Sequence, residues 1–152
     1  PYKSRLMHLI DRLNLTEHVK IHEAMDPKDL HRLYQQSHIF ILSSIDNDLG
    51  KPIETQGVVL LEAQSTGCIP IATRIGGIPE CVNHKEDAIL VRDKSSRAIA
   101  EAVLYLLDHH EQWATYQENG RKNVKNNFSA DVIGNRMIEI FKKVTLSKSN
   151  AH

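Results

Sequence analysis

The residues best suited to chemistry lie in one stretch, Glu54-Thr55-Gln56-Gly57-Val58-Val59-Leu60-Leu61-Glu62-Ala63. Gly57 stands where a polar loop gives way to a helical pattern, and its missing side chain lets a ligand come close to the backbone. The first amides of a helix have no partners within it, and that end carries the positive pole of the dipole. The two effects together make an anion site suited to phosphate. Glu62 follows five residues later, roughly 7–8 Å along a helix axis at about 1.5 Å per residue. A nucleotide with its phosphate at the helix start would therefore bring its ribose diol near Glu62. An ionised carboxylate offers acceptors only, which suits two hydroxyls. Glu62 also interrupts an apolar run, so it needs a partner or must face a cleft. The plainer alternative is a solvated helix glutamate, and the spacing of the two acids alone does not exclude it.

A second constellation is Thr73-Arg74-Ile75-Gly76-Gly77-Ile78-Pro79-Glu80. Paired glycines can present amides to a ligand or merely permit a tight turn. Other candidates are weaker. The nine histidines show no His-Glu-x-x-His spacing, and the two cysteines, Cys68 and Cys81, form no Cys-x-x-Cys pair, so no metal site is expected. No serine sits in a Gly-x-Ser-x-Gly elbow. Cys68 reads as core packing. Trp113 and Tyr116, three apart on a helix, read as packing rather than sugar binding.

The elements that must position these residues alternate between strand and helix. Helical spacing covers Ser4 to Leu13, with Ser4 as a cap. Val19-Lys20-Ile21-His22 is a strand candidate. Asp26 caps a second helix with Pro27 at its first position. Ile39-Phe40-Ile41-Leu42 is a continuous apolar run, as in a strand buried on both faces. A polar loop, Ser43 to Gln56, leads to a helix that ends at Gly67. Strands at 69–73 and 88–91 flank the Gly-rich turn. Three helices follow, at 95–107, 111–126 and 131–144, and the tail from Ser147 is expected to fray. This order implies a parallel sheet covered by helices. Such sheets bind ligands beyond the carboxyl ends of their strands. The loops after Leu42 and Thr73 leave the sheet at that end.

Composition bounds the alternatives. In 152 residues, 19 Lys and Arg balance 19 Asp and Glu, which excludes a broad basic field for nucleic acid or anionic lipid. The hydrophobic share of 41% supports a packed core rather than disorder. Aromatics at 5% argue against a stacking platform for single strands. Two cysteines make a disulfide framework improbable and favour a reduced, cytoplasmic setting. No apolar run is long enough to span a membrane.

Three motifs taken in order, Gly57-Val58-Val59-Leu60-Leu61-Glu62-Ala63, Gly67-Cys68-Ile69-Pro70-Ile71-Ala72-Thr73 and Gly76-Gly77-Ile78-Pro79-Glu80, resemble the donor-binding domain of retaining GT-B glycosyltransferases. This is the large "glycosyl transferases group 1" family, and the resemblance runs from about Ser4 to Val144. Glu54 and Glu62 match its E-x7-E pair. The resemblance implies an α/β fold: a Rossmann-like parallel sheet with helices on both faces, the carboxy-terminal half of a GT-B fold without its first two strands. It implies a nucleotide-diphosphate sugar as donor, no metal and no cofactor. Glu54 would lie at the transferred sugar as the catalytic acid residue, and Glu62 at the ribose. Backbone at Thr55, Gln56, Gly57 and Val58 would meet sugar and diphosphate, with Gly76 and Gly77 also at the donor. The loop near Ile21 to Ala24 would approach the base.

Departures from the family pattern bear on specificity. Ser43-Ser44 stands for the usual Pro-Ser, and Thr55-Gln56-Gly57 for Gly-Phe-Gly. The long loop from Ile45 to Ile53 resembles a subset that builds exopolysaccharides such as colanic acid. The expected domain is a partial nucleotide-sugar-binding unit over 1–146 with a tail over 147–152. The resemblance places the acceptor-binding domain, and an earlier Gly-Arg and Lys phosphate clamp, outside the chain. The partners it implies are a nucleotide sugar and a glycan or lipid-linked acceptor, with no nucleic acid. Peripheral membrane association would run through the other domain, at the inner face of the membrane. With strand order 3-2-1-4-5-6, the expected strands at Val19 and Ile39 have nothing between them, so abnormal pairing of those two strands, borrowing of strands from another copy, or marginal stability is expected. Two other functions share these features: a nucleotide-sugar 2-epimerase and a non-catalytic nucleotide-sugar binding module.

Overall fold

The computed structural model describes residues 2–46 and 57–149, with side chains described through Thr145. Glu54, Thr55 and Gln56 lie outside the described residues, as do most of the loop from Ile45 to Ile53 and residues 150–152. The chain divides into two units, Pro1–Leu30 and His31–His152.

The first unit is built on α1 (Tyr2–Arg12). This helix begins two residues before the expected cap, and Ser4 instead lies inside it, its carbonyl 2.8 Å from His8 Nδ1. Val19-Lys20-Ile21-His22 is not a strand. A strand exists only within a ladder that pairs its backbone groups, and this unit holds no other strand among its described residues. Two apolar residues alternating with Lys20 and His22 give little reason to extend without one. An apolar-lined groove runs between α1 and this segment, and Met7, Ile10, Val19 and Ile21 line it. The unit closes on α2 (Pro27–Gln35), which continues into the second. Asp26 caps α2 as its type dictates, Oδ1 accepting the Lys28 amide at 2.9 Å.

The second unit holds a three-stranded parallel sheet in the order β1 (Ile39–Leu42), β2 (Ile69–Thr73), β3 (Ile89–Val91). Ile39 pairs with Ile69 and Leu42 with Ala72, while Ile71 pairs with Ile89 and Thr73 with Val91. Side chains alternate between faces with the period of two that strands impose. Ile69, Ile71 and Ile89 enter one cluster with Ala102, Leu106 and Tyr116, beneath α5 (Ser96–Asp108) and α6 (Trp113–Asn123). Ala72 and Leu90 enter the other with Leu60, Ile78, Cys81 and Val82, beneath α3 (Val58–Thr66) and α4 (Ile78–Cys81). The sheet is thus α/β with helices on both faces.

Every residue of β2 is buried, as a central strand requires. The expectation of full burial does not hold for β1: Ile39, Phe40 and Leu42 are half-buried, and Ile41 is 44% exposed. The cause is topological, since β1 is the edge of this sheet. A five-residue π-helical stretch, 124–128, links α6 to α7 (Ala130–Ser149). Among the described residues, no helix is long and apolar enough to cross a membrane.

Candidate functional site

Gly57 adopts φ 61°, ψ 41° immediately before α3. That left-handed conformation costs an L side chain roughly 1–2 kcal/mol. Space is short as well. A Cβ on Gly57 would lie 3.0 Å from Leu60 Cδ1, 3.3 Å from Ile78 Cγ1 and 3.6 Å from Leu42 Cδ2. These neighbours fix the place of the helix start. Leu42 ends β1, and Ile78 opens the short helix after the Gly76-Gly77 turn. The amino end of α3 therefore stands at the carboxyl end of the sheet beside that turn.

The turn is built by its own backbone. Gly76 takes φ 49°, another left-handed value, whereas Gly77 has φ −83°, open to any residue. The Ile78 amide donates to Ile75 O at 3.1 Å and the Glu80 amide to Gly77 O at 3.1 Å. Both glycines thus serve a turn, and only Gly76 needs glycine's freedom. On the other side, Thr73 Oγ1 donates to Ser44 O at 2.6 Å, pinning the start of the loop after β1 to the end of β2. The chain around the mouth of the sheet is held at both loops.

Val58 is exposed at the first position of α3, and Glu62 is exposed on the same helix. Tyr34, a buried residue of α2, has a phenol that titrates above its ordinary range, chiefly because of burial and then because of the Glu62 charge. The structure thus brings Gly57, Val58, Gly76 and Gly77 to one end of the sheet, with Glu62 on the helix that starts there. Gly67 ends α3 with φ 98° and ψ 12°, its amide and that of Cys68 closing on Gln64 O and Ala63 O. This is the Schellman geometry that glycine at a helix end favours.

A polar network lies elsewhere, and the sequence reading contains none of it. Gln64 is fully buried, its Nε2 donating to Asp87 O at 3.2 Å. Asn123 Nδ2 reaches Gln64 Oε1 at 3.3 Å and Cys81 O at 2.8 Å. Asp87 accepts from the Asn83 amide at 2.8 Å and from Asn83 Nδ2 at 2.7 Å. Burial pushes the Asp87 carboxyl up, and the bonds from Asn83 pull it part of the way back. A polar cleft of about 230 Å³ opens here, lined in part by Asn83, Asn119, Asn126 and Asn127. The spacing of Asn119, Asn123 and Asn127, four apart on one helix face, is the signal that would have found this network. Its job is to clamp α6 to α3 and to the segment after α4.

Both cysteines are free thiols. Cys68 donates to Tyr34 O at 3.1 Å and contacts Ser37 O at 3.3 Å, and burial raises its pKa. It packs, as its surroundings in the sequence suggest.

Known proteins resemble this chain in sequence and in fold. The D-inositol 3-phosphate glycosyltransferase of Corynebacterium glutamicum is 31% identical over 104 residues, 68% of this chain and 23% of that protein. The crystal structure of a glycosyltransferase from Rickettsia africae superposes with a TM-score of 0.82 at 28% identity, over 95% of this chain and 36% of that one. The Anabaena protein HepE, crystallised in complex with UDP, gives a TM-score of 0.82 at 23% identity, over 93% of this chain and 37% of that one. The chain thus spans between about a quarter and two fifths of each of these proteins. Its fold is one found within GT-B glycosyltransferases. The family described as "Glycosyl transferases group 1" matches residues 1–123, a span that takes in the sheet, α3 and the Gly-rich turn, and it is to this family that the chain belongs.

Proposed function

We propose that the protein is a retaining glycosyltransferase that moves a sugar from a nucleotide-diphosphate donor to an acceptor hydroxyl, and that this chain is the part that grips the donor. The observation that carries the reading is the left-handed Gly57, lodged against Leu42, Leu60 and Ile78 at the mouth of the sheet. It leaves the start of α3 without a side chain where a diphosphate would approach. Amides of Thr55, Gln56, Gly57 and Val58 would meet the donor's sugar and diphosphate, with Gly76 and Gly77 bounding the same mouth. As the glycosidic bond breaks, negative charge grows on the leaving diphosphate, and fixed helix-start dipoles stabilise it without reorganising. Glu62 takes the ribose diol. Glu54 lies at the transferred sugar and supports positive character at its anomeric carbon, while the leaving phosphate helps deprotonate the acceptor on the same face.

One neighbour and one relative support a nucleotide-sugar donor by what their names record: HepE was crystallised with UDP and with UDP-glucose, and a mycobacterial relative is named for GDP-mannose. We place the product among cell-surface glycans, the acceptor among glycans or lipid-linked saccharides, and the protein in the cytoplasm or at the inner membrane face. These rest on the family resemblance and on the loop from Ile45 to Ile53.

The test is Glu54→Gln in the intact protein, with donor binding and transfer measured separately. Transfer is expected to fall by orders of magnitude more than binding. Equal loss of both would make Glu54 a binding residue and remove the catalytic role. Labelled donor without acceptor distinguishes the isomerase: rapid formation of an epimer would contradict transfer, whereas slow hydrolysis agrees with it.

A further inference from the structure

A second cleft lies away from the mouth of the sheet. The strands are parallel, so the segment that feeds β3, Asn83 to Ala88, lies at their amino end. Gln64, in the last turn of α3, reaches that segment. Gly57 stands at the other end of the same helix, roughly 10 Å back along its axis at about 1.5 Å per residue. Two adjoining hollows open at the amino end, of about 230 and 240 Å³, and Asn83, Asn123 and Asn127 line both. Together they reach the size of a small-ligand site.

The clamp accounts for the floor of this cleft only. Gln64, Asp87 and Asn123 are buried and held by hydrogen bonds. The rim differs. Asn126 is exposed, and its side chain makes no hydrogen bond to any described residue. Asn119 and Asn127 use their Nδ2 groups, on Glu86 O at 3.0 Å and on Asn123 Oδ1 at 2.9 Å, and each keeps its own Oδ1 for another partner. Asparagine is a poor helix former, yet four stand between 119 and 127. The helix also leaves its α form here, over the π-helical Val124–Phe128. Such stretches are rare and gather at functional sites. The clamp explains Asn123; it does not explain Asn126, or the wider turn that brings Asn126 and Asn127 side by side to the hollow.

The lining selects a ligand. Glu80 and Glu86 stand around the hollows with Lys122 and Arg136, so neither sign of charge prevails and a charged ligand gains little. Amides both donate and accept, as hydroxyls do. Phe128, half-buried at the second hollow, adds one apolar surface. A ring that carries hydroxyls at its edge and an apolar face is a neutral sugar.

We propose that this cleft binds a neutral saccharide of one or two units, with Asn126 and the amide oxygens of Asn119 and Asn127 meeting its hydroxyls. It is a glycan-holding site apart from the mouth of the sheet, and it does not rest on the donor reading.

The intact protein is titrated with maltose, lactose and mannobiose by ligand-observed NMR, with and without excess UDP or GDP. At least one disaccharide is expected to bind and to keep its affinity in excess nucleotide. Asn126→Ala is expected to weaken that binding by about fivefold or more, and Asn126→Trp, which fills the hollow, to abolish it. Unfolding midpoints are expected to stay close to wild type in Asn126→Ala, which removes no bond within the protein; if the Trp variant fails to fold, the Ala variant decides alone. Binding of none of the three overturns the proposal, as does equal affinity in wild type and Asn126→Ala. Loss of binding in excess nucleotide would put the sugar at the mouth of the sheet and overturns it too.

Discussion

At the scale of single residues, two glycines with left-handed backbone have unlike surroundings. A Cβ at Gly57 would press on Leu60 and Ile78, both fully buried. A Cβ at Gly67 would meet Arg121 Nη1, the far end of a flexible side chain that can swing away. Gly57→Ala is therefore expected to cost roughly 2–4 kcal/mol, backbone strain plus overpacking, and Gly67→Ala about 1–2 kcal/mol, mostly strain. Urea unfolding of the two variants checks the order, and equal losses would contradict the packing drawn around Gly57. Both glycines were legible in the sequence because a chain that starts or stops a helix on glycine leaves a local mark.

At the scale of elements, local chemistry read well and long-range pairing read poorly. The strands at 39–42 and 69–73 carry uninterrupted apolar character and stand where expected. The four residues from Val19 alternate apolar and polar, as a half-buried strand can, yet form no strand, since strand formation depends on a neighbour that no local pattern reveals. The polar clamp was hidden for the same reason: Gln64 and Asn123 are 59 residues apart and look solvated until α6 folds onto α3. Asn123→Ala removes the donor to Cys81 O and Gln64 Oε1 and the acceptor for Asn127 Nδ2. The expected loss is about 1–3 kcal/mol, read as a lower urea midpoint; an unchanged midpoint would mean the clamp contributes nothing.

The outer edge of β3 carries a proton-dependent contact. The Leu90 amide donates to His84 Nδ1 at 3.0 Å, which requires a neutral ring. Burial, then the charges of Arg74 and Lys85, lower the His84 pKa below its ordinary 6.5. The unfolded chain therefore binds this proton more readily than the folded one, and stability falls as pH drops below about 6.5 toward the lowered value. Asp87 acts with the opposite sign: its raised pKa makes its contribution fall as pH climbs past the ordinary 3.8. Unfolding midpoints between pH 7 and 5 are expected to decline less steeply in His84→Asn than in wild type. Parallel profiles would remove His84 from the pH response.

At the scale of the whole molecule, β1 has one neighbour among the described strands and carries neither Lys nor Pro along its length. Edges without such residues invite further pairing. A polypeptide of these 152 residues is expected to associate as its concentration rises, and Ile41→Lys to weaken that association; a monomer at every concentration in sedimentation would contradict it. The general class of fold was legible from alternation alone. The family was legible because three motifs kept their order and spacing. Sugar, base and acceptor were not, because Ser43-Ser44, Thr55-Gln56-Gly57 and the stretch from Ile45 to Ile53 depart from the family pattern that would name them.

The central claim is that the start of α3 and the acid one and a half turns beyond it hold a nucleotide by its diphosphate and pentose. Its most direct measurement is calorimetric titration of UDP and GDP into the intact protein, wild type against Glu62→Ala. The account predicts that the tighter nucleotide loses about 1–3 kcal/mol of binding, roughly 5- to 150-fold, with the fold unchanged by circular dichroism. Equal affinity in the two proteins would contradict it.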